Sequence, residues 1–455
     1  MIETRTRSQK LKQLLTIFAP IYVTQLAVSA VQVVDTMMAG QFSSVDLAGV
    51  AVGANIWAPV STGVGGILVA VTPIVAQHLG AGRDGEVSRA VFQGLYLSLV
   101  LSLVVIIAGF LALPRLLGAM DLTREVHGIA HRYLAALGWG IFPFFAYTVL
   151  RCFFDALGLT RVTMAITLAS APVNVLLNYA LIFGKGGLPA LGGVGAGYAS
   201  ALTYWIVFAI GLYIAVRHEP FARYKILHGP YRVHFDTWRE QLRIGVPLGL
   251  SIALEVGIFA TVGLLMSRFG TLAIAAYQSA TSFGGLIYMF PLSIAQALTI
   301  VVGYEVGAGR IHDAIQYRRL GMSVSLSMAG LLMLGLWLFS QQVARLYTAD
   351  PELLPLLESF LGYVIFFQLS DAIAAPVQGT LRGYKDVKIV LALAIVAYWC
   401  VGLPIGYLLA TFTSLGPYGY WIGLISGLAS GATGLFWRLR QTEGRAAKRL
   451  LTQAS

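Results

Sequence analysis

The chain has 455 residues, of which 57% are hydrophobic and only 11% are charged, and its mean hydropathy is +0.77. A soluble domain carries about 25% charged residues, so this composition excludes a soluble globular protein and indicates a membrane protein. The only cysteines, Cys152 and Cys400, suggest neither a disulfide framework nor a metal-thiolate centre.

Apolar runs separated by short polar loops predict twelve transmembrane helices. Their centres fall near residues 27, 64, 102, 144, 173, 206, 256, 292, 329, 370, 400 and 427. With the N-terminus inside, 25 of the 31 lysines and arginines are cytoplasmic, which predicts a multi-pass protein of the cytoplasmic membrane with both termini inside. The net charge of +11 is dispersed over short loops, so we expect the lipid bilayer and no nucleic acid as a partner.

The first apolar run contains a carboxylate, Asp35. Leu14 to Ala39 supplies 26 residues, whereas a hydrocarbon core needs about 20. Gln32 lies three residues before Asp35, nearly on the same helical face, and we expect this face to look into protein or water. An acid inside a span is costly, so Asp35 is a candidate functional residue; a structural charge satisfied by a neighbouring helix is the alternative.

The two halves of the chain repeat at a constant offset in residue number. Pro20 matches Pro247, and at the same offset Gly80-Ala81-Gly82-Arg83 matches Gly307-Ala308-Gly309-Arg310 without a shift in register. Six spans followed by six equivalent spans are expected of an alternating-access transporter whose site lies between two bundles. A duplication kept only for architecture is the alternative.

The repeat and the loops predict five regions. They are a cytoplasmic N-terminus (1–13), an N-lobe (14–216), a cytoplasmic inter-lobe loop (217–243), a C-lobe (244–437) and a cytoplasmic C-terminus (438–455). The loop between the lobes is expected to lie on the inner membrane surface as a linker, or to bind lipid through its aromatic and basic residues.

Two further acids are predicted near the middle of the membrane. Glu255 and Asp371 each lie 11 residues from one end of their spans, which corresponds to a depth of about 16 Å. Two carboxylates at one depth in one lobe are expected to share a proton or to hold a cation such as Na⁺. In the other lobe Asn174 and Asn178 present their amides on one helical face, as partners for Asp35 or for ordinary bonds between helices.

The joint order of these features resembles the multidrug and toxic compound extrusion (MATE) family and, within it, the NorM-type bacterial branch. The residues that carry the resemblance are Pro20, Asp35 and Gly40 in span one, the two GAG turns, Pro172 with Asn174 and Asn178, and the run AAYQSATSFGGLIYMFPLSIAQALTIVVGYEVGAG from Ala275. Glu255 and Asp371 point to the NorM-like branch. Some relatives have a tyrosine beside the acid of span ten, where this chain has Phe366 and Phe367.

The resemblance implies an all-α membrane protein whose 12 transmembrane helices form two six-helix lobes facing each other in a V. It also implies a cation-coupled multidrug antiporter, not an enzyme, that needs no cofactor and is driven by H⁺ or Na⁺. The N-lobe coupling site would contain Asp35, Asn174, Asn178 and Ser200, with Thr203 as the alternative to Ser200. The C-lobe site would contain Glu255 and Asp371. Na⁺ would bind at Asp35 or at this pair, and Pro20 would kink span one.

The expected substrates are amphipathic cationic drugs or dyes, which bind ring faces by cation–π contacts. The side chains expected to line the substrate cavity of this monomer are Gln32, Trp57, Tyr147, Tyr204, Phe283 and Tyr288. One alternative is a lipid-linked oligosaccharide flippase of the same superfamily, which would need cationic residues where this chain has mid-membrane acids. A proton-conducting subunit is a second alternative, but it would ordinarily need mid-span lysines or histidines.

Overall fold

The computed structural model describes residues 3–187, 189–227 and 232–454. Within these ranges the regular secondary structure is helical. The α-helices are α1 (Arg7–Phe42), α2 (Ser44–Leu68), α3 (Val71–Gly80), α4 (Asp84–Gly118), α5 (Arg124–Gly138), α6 (Ile141–Ala156), α7 (Thr160–Phe183), α8 (Gly193–Arg217), α9 (Phe235–Leu265), α10 (Thr271–Gly307), α11 (Ile311–Tyr347), α12 (Leu353–Gly383), α13 (Lys388–Ala394), α14 (Leu403–Phe412) and α15 (Tyr418–Ala454).

The prediction of an all-α, multi-pass membrane protein is confirmed. In the described part of the chain ten helical segments are long and apolar enough to cross a membrane, and α2 with α3 counts as one of them. The pair α5 and α6, bent by 50°, adds an eleventh crossing if it forms a single span. The helix α15 covers the twelfth predicted centre, near residue 427, and the total of twelve stays a prediction.

Contacts within the chain define two compact units. The N-unit is Val23–Gly249, and the C-unit is Met1–Tyr22 together with Leu250–Ser455. Both breaks fall inside helices, α1 and α9, and Val23 matches Leu250 at the offset of the sequence repeat. Pro20 and Pro247 each lie three residues before a break. The lobe boundaries derived from the sequence stay a prediction, and residues 228–231 of the inter-lobe loop lie outside the described residues.

The clearest stretch of the repeat forms the same turn in both units. Gly82 and Gly309 have φ angles of +67° and +74°, in the left-handed region that glycine adopts without a steric penalty. The next amide then closes the preceding helix: Arg83 N donates to the carbonyl oxygen of His78 at 2.9 Å, and Arg310 N to that of Glu305 at 2.9 Å. The two GAG sequences therefore match because both turns need this helix ending.

The N-unit core brings the end of α1 against α5, α7 and α8. Ala39, Tyr133 and Ile182 belong to one buried cluster, which Trp57 and Tyr204 flank. Ala39 lies four residues after Asp35, about one helical turn further along α1. This packing explains why Asp35 faces the polar side of α7.

The first part of α1 packs differently. Ile17 and Ile21 are buried in a cluster of the C-unit with Phe290 and Leu298 of α10. Lys10, only 1% exposed, donates to the carbonyl oxygen of Thr4 at 2.7 Å and forms a 3.1 Å salt bridge with Asp313. The start of the chain is therefore part of the C-unit by both apolar and ionic contacts.

Close helix packing holds α10 against α12 in the C-unit. A Cβ atom at Gly379 of α12 would collide with the carbonyl oxygen of Ala295 on α10. The hydroxyl of Thr299 donates to the carbonyl oxygen of Gly379 at 2.9 Å. Small residues let helices approach to this distance in membrane proteins.

Between α13 and α14 the chain forms a π-helical segment, Ile395–Gly402. Within it Tyr398 is 3% exposed, and Gly402 packs against Gly427 of α15. Such segments are rare and occur often at functional sites, because they rotate the side chains that follow out of α-helical register.

Candidate functional site

The polar centre of the N-unit is a chain of hydrogen bonds that starts at Asp35. Asn178 Nδ2 donates to Asp35 Oδ1 at 2.6 Å and to Asn174 Oδ1 at 2.8 Å. Asn174 Nδ2 in turn donates to the hydroxyl of Thr203 at 3.4 Å. Because Asn174 and Asn178 are four residues apart on α7, both amides reach the same side, as their spacing predicted.

The asparagines of this hydrogen-bond network are buried, whereas Asp35 itself is partly exposed. Asn174 is 3% and Asn178 0% exposed, so α7 fixes the amide that points at the carboxylate. Of the two hydroxyls predicted on span six, that of Thr203 makes the contact with Asn174. Ser200 is buried at 8% exposure and makes no hydrogen bond to the network of Asp35, Asn178 and Asn174 in the described residues.

Aromatic residues stand beside Asp35. Tyr133 of α5 is buried with Ala39 in the cluster at the end of α1, and Tyr204 of α8 packs against this cluster. Phe144 connects Tyr204 with Trp57, at ring-centroid distances of 5.0 and 5.8 Å. Trp57 and Tyr204 thus belong to the cluster around the end of α1, as part of an aromatic group on three helices.

Two other predicted cavity residues of the N-unit, Tyr147 and Gln32, make different contacts. The ring of Tyr147 packs against Gly211 of α8. Gln32 is exposed, and its carbonyl oxygen accepts a 2.9 Å hydrogen bond from Thr36. Pro20 is buried inside α1, which continues through it as a helix, and the kink there stays a prediction.

The C-unit holds its two acids on α9 and α12. Tyr288 of α10 donates its hydroxyl to Glu255 Oε1 at 3.2 Å. Asp371 is 4% exposed, and its carboxylate interacts electrostatically with that of Glu255. Glu255 of α9 and Tyr288 of α10 are thus in contact, and a common site of Glu255 with Asp371 of α12 stays a prediction.

Phe283, another predicted cavity residue, lies on α10 five residues before Tyr288. Its ring meets Tyr347 of α11 edge-on at 6.5 Å. Phe367 packs edge-on against Phe259 at 5.5 Å, and Phe366 is 59% exposed. Neither phenylalanine carries a hydroxyl, and the phenol in contact with Glu255 is that of Tyr288 on α10.

Tyr398 and Arg382 are two buried residues of the C-unit that no sequence pattern assigned to a site. The hydroxyl of Tyr398 is buried with no hydrogen-bond partner in the described residues, and the fields of Glu255 and Asp371 both act on it. Arg382 is 8% exposed and donates from Nη2 to Gln378 Oε1 at 3.3 Å. Sequence spacing could not identify Tyr398, because the π-helical segment breaks the α-helical period on which such reasoning depends.

None of the three span acids forms a salt bridge within the described ranges. The same part of the chain contains no group of three or more histidine, cysteine, aspartate or glutamate side chains that fits a metal centre. A monovalent cation at either site would be coordinated by one or two carboxylates, and neutral oxygen atoms would supply its remaining ligands. The hydroxyl of Tyr288 and the amide oxygens of α7 are of this kind.

Comparisons with known proteins identify the family of this chain. The MatE family model matches residues 20–180 and 247–408, and the starts of the two matches are separated by the offset of the sequence repeat. The chain is 51% identical over 445 residues to the "Probable multidrug resistance protein NorM" of Bacillus subtilis (strain 168), covering 98% of both chains.

Solved structures share the fold at low sequence identity. The outward-facing conformation of a multidrug resistance MATE family transporter of the MOP superfamily matches with a TM-score of 0.88 at 20% identity, over 98% of this chain and all of that one. A MOP superfamily transporter from Pyrococcus furiosus, for which a reversed polarity of the binding pocket suggests a different function, matches with a TM-score of 0.86 at 19% identity, over 98% and 100%. The resemblance noted in the sequence is confirmed: this chain belongs to the MatE family and is a multidrug transporter of the multidrug and toxic compound extrusion type.

Proposed function

We propose that this transporter is a cation-coupled antiporter that exports amphipathic organic cations across the cytoplasmic membrane by alternating access. The observation that carries the proposal is the set of three acids inside α1, α9 and α12 that form no salt bridge in the described residues. Their hydrogen-bond donors are neutral, the amide of Asn178 and the phenol of Tyr288.

A carboxylate inside a span that has no bonded basic partner needs another source of neutralisation. A small cation and a cationic drug both supply it, so the two compete for the same acids. Because each stabilises the conformation that it binds more tightly, an inward cation gradient returns the protein to the drug-accepting state. The rings of Trp57 and Tyr204 near Asp35 add surfaces that attract flat organic cations.

The proposal includes H⁺ or Na⁺ as the coupling ion and no other cofactor. Na⁺ prefers oxygen ligands, and hydroxyl and amide oxygens stand beside the acids of both units. The excess of lysine and arginine in the loops assigned to the cytoplasm supports a location in the cytoplasmic membrane with both termini inside. The proposed working form is a monomer.

The test is transport by purified protein in proteoliposomes that carry an H⁺ or a Na⁺ gradient, imposed separately. Ethidium efflux should depend on at least one gradient, and Asp35→Asn, Glu255→Gln and Asp371→Asn should each reduce gradient-driven efflux by more than tenfold. Glu86→Gln is the control, because Glu86 is an exposed acid paired with Arg89 at 2.9 Å. Unimpaired coupled efflux in all three variants would reject the mechanism.

A panel of cationic, neutral and anionic dyes in the same assay tests the substrate class. The acids predict that cationic dyes are preferred and that neutralising them reduces this preference. Faster transport of anionic, pyrophosphate-bearing compounds would instead support the flippase alternative.

A further inference from the structure

A cavity of about 450 Å³ lies on the surface of the C-unit between α11 and α12. The residues that line it include Trp337 and Ser340 on α11 and Pro355, Glu358, Gly362 and Ile365 on α12. Binding sites for small molecules usually have volumes of about 300–1,000 Å³. The cavity is therefore large enough for one drug-sized organic molecule.

The cavity coincides with a kink in α11. Phe339, which lies between Trp337 and Ser340, has a φ of −120° and a ψ of 19°, and these values interrupt the helix. On the facing helix a Cβ atom at Gly362 would meet no other atom within 4 Å. A kink in one helix and a glycine in the other thus leave the space between α11 and α12 unfilled.

Glu358 is the one acid among the described residues that line this cavity. It is half-buried and accepts a 3.3 Å hydrogen bond from the hydroxyl of Ser340. It forms no salt bridge in the part of the chain that the structure describes. A carboxylate accepts several hydrogen bonds, so Glu358 can also bind a cation that enters the cavity.

Trp337 gives the same cavity an aromatic surface. It is 71% exposed, and an exposed tryptophan near the end of a span is by itself common, because indoles prefer the membrane interface. Here the indole shares its cavity with a carboxylate and with the apolar side chains of Pro355 and Ile365. An indole and a carboxylate attract one kind of ligand together, an organic cation with an apolar body.

The cavity is separate from the acids in the middle of the spans. Asp371 follows Glu358 by 13 residues on α12, which places the two positions about 20 Å apart along the helix. Glu358 lies near the start of α12, at the end opposite to the GAG turn between α10 and α11. The proposed topology places this end of the C-unit outside the cell.

The N-unit lacks the acid at the equivalent position. At the repeat offset that pairs Pro20 with Pro247, Trp337 corresponds to Phe110, which is 82% exposed, and Glu358 corresponds to His131. Both units therefore expose an aromatic ring at this place, but only the C-unit adds a carboxylate. The architecture that the two halves share does not require Glu358.

We propose that the cavity between α11 and α12 is a second binding site for an amphipathic organic cation, in which Glu358 neutralises the charge and Trp337 contacts the apolar rings. The choice of ligand class rests on the proposed function, whereas binding at this site needs neither the acids of the spans nor an ion gradient. In the proposed topology the site faces the side to which cations are exported.

The test uses ethidium monoazide, a cation that crosslinks to nearby residues on illumination. Purified protein is labelled in detergent without a gradient, and mass spectrometry identifies the labelled peptides. Labelling is expected within residues 337–365, and an excess of ethidium should prevent it. Glu358→Gln should reduce this labelling to about one fifth at a dye concentration below saturation, the effect of losing a partly exposed ionic contact.

Glu352→Gln is the matched control, because Glu352 is an exposed acid six residues before Glu358 that does not line the cavity. It should leave the labelling unchanged. Trp337→Phe keeps a ring and should retain most of the labelling, whereas Trp337→Leu should lose as much as Glu358→Gln. Glu358→His, which introduces the residue of the N-unit, should reduce labelling at least as much as Glu358→Gln. Thermal unfolding of each variant verifies that it is folded.

Three results would overturn the proposal. They are the absence of ethidium-sensitive labelling within residues 337–365, labelling that Glu358→Gln leaves unchanged, and an equal loss in Glu352→Gln, which would indicate general attraction to acidic groups. Each can be observed whether or not efflux is coupled. The absence of gradient-driven efflux by the wild type contradicts the proposed function instead and leaves the labelling result to decide on this site.

Discussion

The two units reach a similar polar centre from one repeated sequence with different residues. In the N-unit a single acid, Asp35, accepts a hydrogen bond from Asn178 and so connects to two further helices. In the C-unit Glu255 accepts a hydrogen bond from the phenol of Tyr288, and a second acid, Asp371, is buried. The repeat therefore conserves the helices and turns, whereas the charged groups were placed independently in each unit.

The positions equivalent to the acids show the same independence. Asp35 corresponds to Val262, which is 1% exposed, and Glu255 corresponds to Val28, which is 41% exposed. The buried environment of Val262 would not accept a carboxylate, whereas Val28 lies on an open face of α1. Equivalent positions in the repeat are thus not equivalent environments.

The largest effect on stability is expected when a glycine at a close helix contact of the C-unit is replaced by the residue at the equivalent position of the N-unit. Gly379 corresponds to Cys152 of the N-unit, where a buried side chain is accommodated. Gly379→Cys should destabilise the folded protein by about 3 kcal/mol or more, because the added Cβ collides with the carbonyl oxygen of Ala295. The measurement is thermal unfolding in detergent. Gly362→Cys on the same helix, where a Cβ meets no atom within 4 Å, should be tolerated.

Next in size is the loss of the amide that contacts Asp35. Asn178→Leu keeps the shape but removes the 2.6 Å donor, and hydrogen bonds to charged groups contribute about 1.5–3 kcal/mol. Gradient-driven efflux should fall by about tenfold or more while protein yield is maintained. As a control, Ser102→Ala removes a buried hydroxyl that donates to Ser98 within α4. If both variants lose gradient-driven efflux equally, efflux depends on buried polar groups of the N-unit in general and not on the contact between Asn178 and Asp35.

A smaller effect separates the two hydroxyls of α8. Thr203→Val removes the acceptor of the 3.4 Å bond from Asn174, a neutral contact that contributes about 0.5–1.5 kcal/mol. Coupled efflux should fall by about threefold, whereas Ser200→Ala should leave it nearly unchanged. The reverse order would assign the N-unit site to Ser200, and Thr203 would then be a packing residue.

Much of the N-unit site follows from sequence because its signals are local. An acid in an apolar run and two amides four residues apart on α7 need only helical geometry to be placed on facing sides. The GAG turns were equally readable, since glycine with a positive φ leaves a mark in the sequence.

The C-unit was less accessible to such reasoning. Depth arithmetic could pair Glu255 with Asp371, but Arg382 read as one more basic residue at the end of a span. Tyr398 lies in the π-helical segment, where the spacing of side chains no longer follows a period of 3.6 residues. The burial of both residues depends on packing between helices, which no local pattern encodes.

The division of α1 and α9 between the two units has a consequence for how substitutions in these helices act. Each helix begins in one unit and ends in the other, and the two breaks coincide when the halves are aligned by the repeat. A substitution in the first turns of α1 or α9 therefore acts on the packing of one unit, whereas a substitution in the last turns of the same helix acts on that of the other.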